Sequence, residues 1–215
     1  RLVLLIMTIN LAASLFKKNL WKVKKTGIII VHLGGLLLLL GGGVTALFSS
    51  EGNMVIAEGE TSNHVDDYFD MELAFVNTSR DDSLEYTVFD APLLNDGNSI
   101  TYEDFGIQID IISHMENVRI ESRISPAEKI YKGFLKEFVL LPLRPEKEAT
   151  QNRPGIIIKL SGLSSEKDGI YGIFLGQKTP DTFQINGDLY FTEFRRKRTY
   201  LPFSISLLDL SLIHI

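Results

Sequence analysis

The sequence predicts a membrane protein, with N-terminal transmembrane α-helices followed by a mostly-β extracytoplasmic domain of sandwich or barrel-like form. Three observations predict it. The 22-residue run Gly27–Phe48 contains no Asp, Glu, Lys or Arg. Charge is divided unevenly: residues 1–48 hold six Lys/Arg and no Asp or Glu, while the rest hold 16 of the 22 Lys/Arg and all 27 Asp/Glu. Short alternating segments broken by turn signals fill the remainder.

Four segments follow in order. Residues 1–16 contain the apolar stretch Leu2–Phe16, short for a span. Because the sequence begins with Arg1, it reads as part of a longer first transmembrane helix. Residues 17–25 place five lysines in nine positions. The positive-inside rule makes this a cytoplasmic loop, with Trp21 where an interfacial anchor would sit. Residues 26–48 form the transmembrane helix. Its charge-free run spans roughly 33 Å, close to the hydrocarbon thickness. The five-leucine run Leu36–Leu40 leaves no polar face, which argues against a surface helix. A buried core helix is usually shorter, and a signal peptide has a shorter apolar run. Residues 49–215 are then the extracytoplasmic β-rich domain.

Within the long helix, His32 lies about 9 Å from the cytoplasmic end. An ionisable group at that depth is a functional candidate. The alternative is a neutral ring near the helix end, bonded to a backbone carbonyl or a headgroup. Gly35 and Gly42 share its face, and Gly34 and Gly41 repeat the seven-residue spacing beside it. Such glycines admit a neighbouring helix or a flat ligand, helix packing being the commoner use.

Strands are expected at Met71–Val76, Tyr86–Phe89, Ile107–Ile111, Gly155–Leu160, Ile170–Leu175, Thr182–Ile185 and Leu189–Phe194. Asn186-Gly187-Asp188 marks a hairpin between the last two. Lys129–Phe138 reads as a short helix or a strand, and Pro142–Pro154 as an exposed loop. Chemistry here is weakly signalled. His64 with Asp66 and Asp67 reads as a solvated polar loop rather than a metal site. Glu51, Glu58 and Glu60 read as a membrane-proximal turn. His114 ends a strand with no nucleophile near it in sequence. The run Arg195-Arg196-Lys197-Arg198 reads as a solvated hairpin flank or as a contact for lipid headgroups or an acidic partner.

Composition excludes several classes. With no Cys there is no disulfide framework, thiol nucleophile, covalent haem attachment motif or Cys-based metal site. A net charge of −5 fits nucleic-acid binding poorly. Neither a Gly-x-Ser-x-Gly elbow nor a His-Glu-x-x-His motif is present, and no catalytic residue is assigned.

Several stretches together resemble the ResB (CcsB-like) family of system II cytochrome c biogenesis proteins. They are His32–Gly41, Val44–Phe48, Glu51–Met54, Glu58–Asn63 and Tyr200–Asp209. The resemblance implies a subunit of the bacterial cytoplasmic membrane, with its large domain on the periplasmic side. That subunit works with a CcsA-type membrane partner carrying a Trp-rich loop. It implies that the complex carries haem b across the bilayer and supports its ligation to apocytochrome c, with catalysis shared and the thioether chemistry at the partner's loop. His32 matches a family histidine thought to be an axial ligand of haem iron. The family pattern continues beyond Leu208-Asp209 with a Pro-Gly-Thr stretch and a final span. Leu210–Ile215 does not follow it, so a truncated C-terminus is expected and His214 carries no functional weight. The alternative is a membrane-anchored extracytoplasmic sensor or assembly factor that binds a protein partner without haem.

Overall fold

The computed structural model describes residues 2–16, 23–49, 51–79 and 84–210. Trp21, Lys17, Lys18, Lys22 and His214 lie outside the described residues. The chain divides into two compact units, residues 1–51 and 52–215.

The first unit is helical. Helix α1 is Leu2–Leu15 and helix α2 is Thr26–Phe48, preceded by a 3-10 turn at Val23–Lys25. The 23 residues of α2 give about 34 Å, enough to cross a membrane, whereas the 14 of α1 give about 21 Å. Glycine is a poor helix former, yet α2 continues unbroken through Gly34, Gly35 and Gly41–Gly43. It ends where Ser49 turns extended and its backbone N–H reaches the Thr45 carbonyl at 2.9 Å. No residue of α2 is buried, and Leu37, Leu38 and Leu47 are largely exposed, as suits a helix solvated by lipid.

Among the described residues the second unit has eleven strands: β1 Gly52–Asn53, β2 Thr61–Asn77, β3 Glu85–Asp90, β4 Ser99–Tyr102, β5 Ile107–Met115, β6 Val118–Ser122, β7 Phe138–Pro142, β8 Gly155–Ser161, β9 Gly169–Phe174, β10 Thr182–Ile185 and β11 Asp188–Ser206. Every pairing among these named strands is antiparallel. One sheet has the long pair β2–β11 at its centre, with β10 beyond β11 and both β1 and β3 on the far side of β2. The other runs β4-β5-β8-β9. Alternation builds the core between them. Met71, Leu73 and Phe75 of β2, with Phe183 and Phe194, meet Ile107, Ile109 and Ile111 of β5 and Ile156, Ile158 and Leu160 of β8.

A second, smaller core lies on the other side of β8 and β9. There the β6–β7 pair and a 3-10 turn at Gly133–Lys136 bring Val118, Leu135 and Leu140 over Ile157, Ile170 and Phe174. This accounts for the three consecutive isoleucines of β8, buried from both sides. It also requires Gly172: a Cβ there would stand 2.7 Å from the Leu135 side chain.

The hairpin at residues 182–194 is β10–β11. Its turn residues Asn186 and Gly187 have φ of 54° and 93°, the mirror-image turn that Asn-Gly favours. Two sequence readings need correction. Thr61–Asp70, read in part as a polar loop, is the first half of β2; pairing with β11 rather than burial makes it a strand. Lys129–Phe138 is neither one helix nor one strand. Tyr131 bridges Ile170, the 3-10 turn follows, and Phe138 opens β7.

Candidate functional site

His32 lies in the second turn of α2, on the one face of that helix that is not fully exposed. The half-buried positions Lys25, Ile29, His32, Gly35, Leu36 and Leu39 share that face at helical spacing. It packs on α1: a Cβ added to Gly35 would meet Leu11 at 3.1 Å. Gly35 therefore serves helix packing. Gly34, Gly41, Gly42 and Gly43 have nothing within 4 Å of the same test position.

The ring of His32 is fixed by its own helix. Nδ1 lies 2.8 Å from the Ile28 carbonyl oxygen, four residues back. A carbonyl only accepts, so Nδ1 carries the proton and donates. In the neutral ring Nε2 is then a bare lone pair, held in a set direction. This is the orientation that a metal-bound imidazole uses, with one nitrogen tied to a carbonyl and the other free to ligate. The carbonyl bond considered as the bland reading is thus present, and it leaves the second nitrogen available.

The other sequence candidates are engaged elsewhere. His64 sits in β2 with its ring 5.8 Å from that of Tyr200 and its Nδ1 3.4 Å from the Ser62 hydroxyl. Asp66 accepts from Arg198 at 3.4 Å. Asp67 Oδ1 accepts the backbone N–H groups of Phe69 and Asp70 at 2.7 and 2.9 Å. Among the described residues no three His, Asp or Glu side chains converge on a metal position. Glu51, Glu58 and Glu60 are exposed.

His114 lies within β5, edge-on to Phe194 with ring centres 5.7 Å apart. Burial pushes its pKa down, against the opposing pull of Asp96 and Glu116. It lines a recess of about 330 Å³ with Phe69, Met71, Pro154 and Arg196. Among the described residues no Ser, Thr or Tyr lines that recess.

The basic run is neither a solvated flank nor a free basic patch, because each member has an internal partner. Arg195 is 4% exposed and donates through Nε to Glu72 at 2.7 Å and through Nη1 to Glu193 at 3.0 Å. Its guanidinium also lies 4.7 Å from the Tyr86 ring centre. Arg196 donates to the carbonyls of Ala149 and Phe69, Lys197 to Asp90 and Arg198 to Asp66. The sequence hides most of this pairing because Glu72, Phe69, Asp90 and Asp66 lie more than 100 residues away from the groups that bond them. Glu72 in particular falls on the outward side of an alternating strand, where a solvated carboxylate is the ordinary expectation.

No curated protein matches the chain. The model of the ResB-like family matches residues 17–121, a stretch that holds α2, His32 and the strands β1 to β5 with nearly all of β6. That match agrees with the resemblance read from the sequence and points to a role in cytochrome c biogenesis.

Proposed function

We propose that the chain is the membrane subunit of a system II cytochrome c biogenesis complex that moves haem b across the bacterial cytoplasmic membrane and supports its ligation to apocytochrome c. Haem is the cargo. His32 is the residue of this chain that holds it, as one axial ligand of the iron. The observation that carries this reading is the bond from His32 Nδ1 to the Ile28 carbonyl, which leaves Nε2 as a directed lone pair inside an apolar helix. A neutral imidazole ligates iron well, and coordination offsets the cost of keeping a polar ring in hydrocarbon. Placement on the packed face of α2 supports it further, since a ligand ring must be held in one rotamer to bind reproducibly.

A CcsA-type partner supplies the second ligand and the loop at which the thioether bonds form. The lysine-rich connection 17–25 supports a cytoplasmic position for that segment and, with one span between them, an extracytoplasmic β-domain. The test is the absorption spectrum of the full-length protein purified with its membrane partner. A Soret band in the native complex, weakened in His32→Ala, is expected. A complex purified without haem would favour the protein-binding assembly factor instead.

A further inference from the structure

The two longest strands outrun the sandwich. Sheet partners flank β2 on both sides from Glu72 to Asn77, but beyond Met71 it pairs with β11 and, at Asp66 and Asp67, with the two residues of β1. The β2–β11 ribbon continues through Arg198↔Asp66, Thr199↔Val65 and Tyr200↔His64, and then Ile205↔Ser62 and Ser206↔Thr61. Between those last blocks Leu201–Ser204 stand opposite Asn63 alone, so four residues bulge from the ladder. Pro202, which lacks an N–H, helps keep them out of it. The tip is closed by the Gly59 N–H on the Leu207 carbonyl at 2.7 Å and the Leu207 N–H on the Glu60 carbonyl at 3.0 Å.

This arm has no core. No described residue in 51–70 or 197–210 is buried. Large apolar side chains nonetheless concentrate on it: Tyr200 and Phe203 are each 56% exposed, Ile205 45% and Leu208 84%. A cluster of that kind on a projecting element marks a contact surface. Its charge identifies the occupant. Residues 51–70 and 197–210 contain Glu51, Glu58, Glu60, Asp66, Asp67, Asp70 and Asp209 against Lys197 and Arg198, which are paired with Asp90 and Asp66; from residue 199 to 210 and from 51 to 65 there is no Lys or Arg. An anionic lipid surface repels such an arm. A protein segment with apolar side chains flanked by Lys or Arg complements both the apolar and the acidic parts.

We propose that the β2–β11 arm is the docking surface for a partner protein segment that presents apolar residues flanked by Lys or Arg. This rests on nothing assigned to His32. The test places a photo-crosslinking benzoylphenylalanine at Phe203 of the full-length protein in its native membrane, with the same group at exposed Ile124 as control. The adduct is digested and sequenced. Expected is a protein adduct specific to Phe203, mapping within a few residues of Lys or Arg. It should fall at least threefold in Glu58→Lys/Glu60→Lys and separately in Asp209→Lys, with an unchanged proteolysis pattern reporting an intact fold. A lipid adduct, an adduct to this chain, a peptide lacking basic residues, no adduct, or yields indifferent to the charge reversals would overturn it.

Discussion

Arg195 and Glu72 form an ion pair at 2.7 Å across the central strands β11 and β2, with side-chain exposures of 5% and 4%. They stand directly opposite each other in the ladder, next to Phe194 and Leu73, which face the main core. The pair thus lies on the far side of the sheet from that core, with the Tyr86 ring against the guanidinium. Burying two charges is costly, and leaving one without the other costs more. Glu72→Ala should therefore lower the stability of the β-domain by about 3–5 kcal/mol. Glu72→Met/Arg195→Met should recover much of that loss. Thermal unfolding of the full-length protein in detergent, followed by circular dichroism in the β region, checks both.

His114 sets a pH dependence. Burial lowers its pKa in the folded state below the ordinary 6.5, so the unfolded chain takes up its proton first on acidification. The stability contributed by the neutral ring is present above about pH 6.5 and is lost as pH falls through the lowered folded value. His114→Phe keeps an aromatic ring against Phe194 and removes the titration. Its stability should fall less than the native protein's between about pH 6.5 and 5, in denaturant titrations at several pH values. An unchanged pH slope would show that the ring is solvated.

The packed and open faces of α2 can be told apart. Gly35→Leu collides with Leu11, whereas Gly34→Leu enters open space. The chain has no native Cys, so nitroxide labels go cleanly onto cysteines placed at exposed Leu5 and Leu38. Gly35→Leu should lengthen or broaden the inter-label distance and Gly34→Leu should leave it in place. An equal response from both variants would contradict the assignment of the packed face.

The fold class was legible because two signals are local. A charge-free run announces an apolar helix without reference to the rest of the chain, and alternation announces strands such as β5 and β10. What escaped depends on long-range pairing. Thr61–Asp70 carries three Asp and alternates poorly; it becomes strand because β11, more than 100 residues later, supplies its ladder. The basic run failed as a surface signal for the same reason. In the site, His32 itself stood out as an ionisable group in an apolar run. Which of its nitrogens is committed did not, because that depends on a rotamer and on the Ile28 carbonyl. The outlying strands β4 and β6 were missed since their half-exposed patterns resemble ordinary polar loops.

The most direct measurement is the spectrum of His32→Gly in the full-length protein purified with its membrane partner, recorded with and without added imidazole. Glycine removes the ring and leaves a space at that position, which free imidazole can enter. The account predicts a weakened and shifted Soret band that imidazole partly restores. A variant whose spectrum matches the native complex, with no response to imidazole, would contradict it.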